Sequence, residues 1–240
     1  VQRELLDAGR YAAADADFFE ALQRRSEVLR RSGVLPLQAY GDQLRETLIE
    51  PLLPQLEHYR SYCQIWSQEE TTPRMIDLQV EHVHLEGWLG GLRRATHQHL
   101  QETEYARIEL LPGKIYSGTE LRWHRLLRPW VQHVLLNACG IQTQTLVFAQ
   151  ESSMMFVSIE QDSAIQIVRG WLEAWQQGMN APLPVALKTA MSFLKDQDDH
   201  KAQSIYEGGY NVSGEVQNSA ALARQFPSYA ALQADGNFSH

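Results

Sequence analysis

Apolar residues recur along this chain with two periods, and the switches between them mark out its elements. Through residue 66 the period is helical. Glu4 to Ala8 and Ala13 to Leu29 carry it, with Phe18, Phe19 and Leu22 on the apolar side. Ser32-Gly33 and then Leu35-Pro36 predict the stop, because the residue before a proline is pushed out of the helical region. A third helix, about Asp42 to Trp66, spaces Leu44, Leu48, Leu52, Leu56 and Tyr59 by three or four. Pro51 and Pro54 interrupt it, which predicts a kink or two helices. After the polar loop Gln68 to Arg74 the period becomes two. Ile76, Leu78 and Val80 alternate with Asp77, Gln79 and Glu81, and Val83 and Leu85 then take the opposite phase. That slip predicts a hairpin turn or bulge at Glu81-His82. The second strand is expected to continue from His84 to Leu92, where three glycines imply a bend or close backbone approach.

The stretch from Tyr105 to Gly140 organises the rest. Ala106, Ile108 and Leu110 alternate with Tyr105, Arg107 and Glu109, a strand that Pro112-Gly113 closes. From Thr119 a long amphipathic helix is predicted, with Trp123, Leu127, Trp130 and Val134 on one face and Arg122, Arg125 and Arg128, three apart, on another. His133 is expected to be a hydrogen-bonded core histidine. Thr143 to Ala149 and Met154 to Ile159 read as a second hairpin, and Asp162 or Ser163 as the cap of a helix ending at Gly178. Val185 to Leu194 is helical again. The tail from Asp196 is polar, with a last short helix near Ser219 to Gln225. The order of these pieces predicts an α/β or α+β domain with one mixed sheet and flanking helices. Its expected parts are a helical region over 1–66, an α/β core over 67–195 and a tail over 196–240 that packs on the core.

Charge sharpens this picture. Seven Lys/Arg (Arg93, Arg94, Arg107, Lys114, Arg122, Arg125, Arg128) face four acids (Glu102, Glu104, Glu109, Glu120) between Leu89 and His133, so this segment is +3 in a chain of −8. The remainder sums to −11. These seven side chains are the candidates for meeting phosphate or an acidic partner surface, against the general tendency of charge runs to be solvated faces. No apolar run approaches bilayer length, which excludes a helical membrane protein. The two cysteines, Cys63 and Cys139, cannot build a metal site alone, and reduced thiols in a cytoplasmic protein are the default reading. A chain that starts at Val1 in helical pattern, without a signal peptide, is expected to be part of something larger.

Four stretches carry a family resemblance. LLRPWVQHVLLNACG at 126–140 is similar to a helix of the form Leu-x-x-Trp-x-x-His-Leu, and GMNAPLPV at 178–185 to a Gly-Leu-x-x-Pro-Leu-Pro turn. RRSGVLPLQAYGDQ at 30–43 resembles a Gly-x-Leu-Pro…Gly stretch, and GWLGGL at 87–92 a Gly-x-Leu-x-x-Leu strand. In their order and spacing along the chain they resemble the C-terminal domain of RecC, the gamma subunit of the RecBCD helicase-nuclease (exodeoxyribonuclease V), and more broadly the PD-(D/E)xK nuclease fold.

The resemblance implies a degenerate site. Active relatives of the fold carry an aspartate after Gly-x-Ile/Leu and an Asp/Glu-x-Lys on the next strand, because hard oxygens hold Mg²⁺ and the metal lowers the pKa of the attacking water. Here the aspartate position is Gly90, the acid is Glu109, and Leu111 stands where the lysine is needed. Lys114 lies beyond the turn. The Gln-x-x-x-Tyr of the following helix is absent too, since Gln132 is followed by Leu136. The implied domain therefore has no catalytic residues and no metal of its own. Mg and ATP would be used by RecB-like and RecD-like partner subunits of an ATP-dependent exodeoxyribonuclease acting in DNA repair and homologous recombination. The domain itself would dock those subunits and guide or split DNA strands, in the cytoplasm and away from membranes. Trp88 or Tyr116 at a loop could stack on a base, although most of the six tryptophans are expected in the core. Two alternatives stand beside this: an active metal-dependent nuclease, drawing on Glu81, His82, His84, Glu86, His97, His99 and Glu109, and an interaction domain with no DNA role. His82 and His84 share a strand face, but zinc needs about four ligands.

Overall fold

The computed structural model describes residues 1–12, 17–36, 38–95, 105–210 and 212–234. It divides into two compact units, Val1–Leu121 with Arg128–Gln166, and Arg122–Leu127 with Ile167–His240.

The first unit opens with helices α1 (Gln2–Arg10), α2 (Phe18–Arg31), α3 (Gln38–Ile49) and α4 (Leu53–Ile65). Asp17 caps α2 by accepting from the Phe19 amide. Proline does break the third helix as expected: a 3-10 turn, Glu50–Leu52, separates α3 from α4. Strands β1 (Gln68–Glu69), β2 (Arg74–Val80), β3 (Val83–Leu89), β4 (Leu92–Arg94) and β5 (Tyr105–Leu110) follow. A small ladder, β6 (Tyr116–Ser117) and β7 (Glu120–Leu121), leads to helix α5 (Leu127–Ala138), and the hairpin β8 (Thr143–Ala149) and β9 (Ser152–Phe156) completes the sheet.

That sheet has the order β1-β4-β5-β8-β9, with β5 and β8 parallel and the other pairs antiparallel, so it is mixed. Among the described residues β2 and β3 pair only with each other, with the turn at Glu81, whose φ is +53. The expectation that all strands join one sheet is therefore corrected. Strand β3 stops at Leu89, and the chain turns at Gly90-Gly91, where Gly91 has φ +79, before β4 enters the main sheet. Only glycine takes that conformation at low cost.

A second correction concerns the long helix, which starts at Leu127 rather than Thr119. Pro129 explains the difference. A proline is accommodated in the first helical turn but in a third turn would clash with the carbonyl four residues back. Trp123–Arg125 is instead a 3-10 turn. Hence Arg122, Arg125 and Arg128 do not form one helical stripe, and Arg122 and Arg125 belong to the second unit while Arg128 belongs to the first.

One part of the core lies between the sheet and the N-terminal helices. Ala106, Ile108, Leu110, Leu146 and Phe148 pack against Leu5, Leu6, Leu22, Leu52 and Leu56 from the helices. On the opposite face α5 is pinned by two buried side chains. His133 Nδ1 lies 3.1 Å from Thr145 Oγ1 and its Nε2 lies 2.9 Å from the Val157 carbonyl. Because a carbonyl only accepts, Nε2 carries the proton and Nδ1 accepts from the threonine hydroxyl. Asn137 donates to the carbonyls of His133 and Thr143 and accepts from the amides of Thr143 and Ile159.

The second unit contains most of α6 (Gln161–Asn180), which the first unit begins, followed by α7 (Leu187–Asp196), α8 (Asp199–Glu207), the two-residue ladder β10 (Gly208–Gly209) and β11 (Val212–Ser213), and helices α9 (Ala220–Gln225) and α10 (Tyr229–Ala234). It has its own core of Ala186, Ala202, Tyr206, Val216, Tyr229 and Leu232. The Glu215 carboxylate accepts from the amides of Lys188 and Thr189 and from the Thr189 hydroxyl. It thereby caps α7 from outside the helix, at the end where a negative charge is favoured. Among the described residues no helix is long and apolar enough to cross a membrane.

Candidate functional site

Strand β5 carries two kinds of face. Its apolar residues enter the core, and Arg107 and Glu109, two apart, share the other. Among the described residues β4 meets β5 only at Ala106 and Arg107, so the edge of β5 at residues 108–110 is left to α1. There Arg3 Nη1 donates to the Leu110 carbonyl at 3.0 Å. The result is a cleft of about 200 Å³ in the first unit, bounded by α1, the Gly90-Gly91 bend, β5 and the first turns of α5. Arg3, Arg10, Arg107 and Arg128 line it, with Glu109 as the acidic member, and Gly90, Leu111 and Gln132 lie on its wall.

Arg107 is the unusual member. It is 5% exposed and its Nη2 donates to Glu109, yet Nε and Nη1 have no hydrogen-bond partner among the described residues. Burial pulls its guanidinium below the ordinary value, Glu109 opposes that, and Arg10 and Arg128 push it further down. For Arg10, burial works against the charge, but Tyr59, Tyr11, Glu109 and Glu69 together hold its pKa above the usual value. Each buried, unpaired donor costs about 1–3 kcal/mol, more when the group is charged. A natural chain tolerates such a cost mainly where the group has work to do.

The other predicted basic residues are placed apart. Arg93 pairs with Glu69 and donates to the Trp66 carbonyl. Arg94 pairs with Glu70 and, like Arg74, donates to the Tyr105 hydroxyl. Lys114 pairs with Glu151 at 2.5 Å. Of the seven, Arg107 and Arg128 reach the cleft, whereas Arg3 and Arg10 come from α1 and were not among them. Their signal in the sequence is the seven-residue spacing, which puts both on one helical face.

The metal-competent residues do not converge. His84 lies 2.7 Å from Asp77 and 3.5 Å from Glu86 on the exposed side of the β2–β3 hairpin, and His82 sits in its turn. Among the described residues no group of three His, Cys, Asp or Glu is arranged to hold a metal ion. His97, His99, Glu102 and Glu104 lie outside the described residues. A larger cavity of about 450 Å³ includes Tyr59 and Cys63. Burial pushes the Tyr59 hydroxyl up to about 12 and raises the Cys63 thiol, so neither is an activated nucleophile. Of the tryptophans, Trp66 alone is fully in the core, while Trp88 is 67% exposed opposite Met75 on the hairpin.

A family model for the RecC C-terminal domain matches residues 1–198. The chain belongs to that family. RecC membership gives it the context of the RecBCD complex and of DNA repair. No significant match was found among curated proteins. In this RecC-family chain the three positions that the resemblance marks as degenerate, Gly90, Glu109 and Leu111, meet at the same cleft. Among the described residues Glu109 is the one carboxylate there, and the arginines outnumber it four to one.

Proposed function

We propose that this is a non-catalytic RecC-type domain with a degenerate PD-(D/E)xK-like core, which docks RecB-like and RecD-like subunits and helps guide or split DNA strands. One observation carries the reading. A divalent cation needs several hard oxygens, and among the described residues the cleft offers one carboxylate, already engaged by Arg107, beside four guanidiniums. Such a field repels Mg²⁺ and attracts phosphate. Gly90 and Leu111 supply neither the second acid nor the lysine that would act on water or a scissile phosphate. Arg93, Arg94 and Lys114 are tied into ion pairs, so a role for them at a partner surface or on DNA would exchange those pairs for new ones. Arg122 and Arg125 in the second unit are the other candidates for such contacts, and Trp88 offers an exposed aromatic face for a base or a partner.

Co-purification tests the subunit role. The chain is expected to stay with a tagged RecB-type or RecD-type subunit from the same source through size-exclusion chromatography. A chain that elutes alone in the presence of both would contradict the docking assignment.

A further inference from the structure

The unpaired donors of Arg107 ask for a ligand, and the surroundings define its chemistry. We infer that the cleft between α1, the Gly90-Gly91 bend and the start of α5 binds one phosphate group, with Arg107 as its floor and Arg10 and Arg128 as its sides. This deepens the reading of the cleft as non-catalytic and rests on it. Among the described residues Nε and Nη1 of Arg107 are buried donors without acceptors, and a tetrahedral oxyanion supplies acceptors to such donors while its charge offsets three neighbouring cations. Arg3 is already committed to the Leu110 carbonyl and lies 3.8 Å from Asp7, so it acts as a fixed wall. Arg128 is exposed and can swing to an incoming anion. The first turn of α5 adds the positive end of its dipole. Glu109 remains on Nη2, which orients the guanidinium and leaves its other donors available. The volume of about 200 Å³ holds a phosphate with part of an attached sugar.

The ligand is a phosphate group, free or carried on a nucleic-acid chain, and calorimetry on the 240-residue chain separates these sources. Inorganic phosphate, a trinucleotide with a 5′-phosphate and the same trinucleotide without it are titrated at low salt. Saturable one-site binding of inorganic phosphate assigns the free anion. Binding of the trinucleotides alone assigns nucleic acid, and preference for the 5′-phosphorylated one assigns a terminal phosphate. In each case Gly90→Asp should weaken binding at least tenfold, because it puts a carboxylate into the cleft. The site has room for it: a Cβ at Gly90 meets nothing nearer than Pro73 Cγ at 3.9 Å. Arg128→Glu, at an exposed position, should do the same with an unchanged circular dichroism spectrum. No saturable heat with any of the three, or binding that both variants leave intact, would overturn the inference. Failed co-purification or metal-dependent DNA cleavage would instead strike the subunit and non-catalytic readings, and neither reports on phosphate heat.

Discussion

Replacing His133 with alanine is expected to lower unfolding free energy by about 3–5 kcal/mol, the cost of a buried cavity plus two abandoned partners. The ring is fully buried, joins α5 to Thr145 and to the Val157 carbonyl, and stacks against Trp130 with Phe156 close by. Its removal strands the buried Thr145 hydroxyl and leaves the Val157 carbonyl without its partner. The same side chain gives stability a pH dependence. Burial holds the folded imidazole down at about 4, with Arg107 adding to the depression and the Val157 carbonyl opposing it. In the unfolded chain a histidine takes its proton near pH 6.5. The unfolded state therefore binds more protons between these values. The contribution is fully present above about pH 6.5 and is lost as pH falls through about 4, amounting to roughly 3 kcal/mol. Urea unfolding at pH 7 and pH 4.5 should show a larger loss for the natural chain than for His133→Ala. Equal losses would mean that His133 is not the group responsible.

The second large effect sits where α1 meets α4. Leu56 is fully buried, and a Cβ built on Gly9 would come within 2.4 Å of its Cδ1. Leu56→Ala should cost about 2–5 kcal/mol through lost transfer energy and the cavity left behind. Gly9→Ala gains helix propensity but overpacks this contact, so alone it should be destabilising by about 1–3 kcal/mol. Together the two should be less harmful than their sum, since the alanine methyl enters the space that Leu56 vacates. A coupling of more than about 0.5 kcal/mol in a double-mutant cycle is the expected result. Strict additivity would place Gly9 and Leu56 out of contact. The junction also bears on the cleft, because α1 brings Arg3 and Arg10 to β5.

Much of the fold was legible because local rules governed it. Pro51 and Pro54 divided a helix, the phase slip at Glu81-His82 marked a hairpin, and Ala106, Ile108 and Leu110 announced which face of β5 enters the core. Other features needed tertiary structure. Apolar spacing of three fits a 3-10 turn as well as an α-helix, so Trp123 to Leu127 read as continuous helix until Pro129 is given its full weight. Helices α8 and α10 are short, and their apolar members, such as Ala202, Tyr206 and Leu232, are too few to show a period. Alternation told that Arg107 and Glu109 share a face, not that the face is covered. The pairing of Arg93 with Glu69 is non-local, and so is the meeting of Arg3 with Leu110 across more than a hundred residues. Neither leaves a mark on the local pattern. The three degenerate positions could be named in advance only through the family resemblance, and their convergence on one cleft came from the structure.

Nuclease activity tests the central claim most directly. Linear duplex and single-stranded DNA are incubated with the purified chain and Mg²⁺ or Mn²⁺, beside a Glu109→Ala variant. The account predicts no metal-dependent cleavage by either protein, since the one carboxylate that the described residues place among four arginines cannot hold the cation that the chemistry needs. Cleavage that requires the metal and disappears in the variant would contradict it, and would make Glu109 a metal ligand in a working active site.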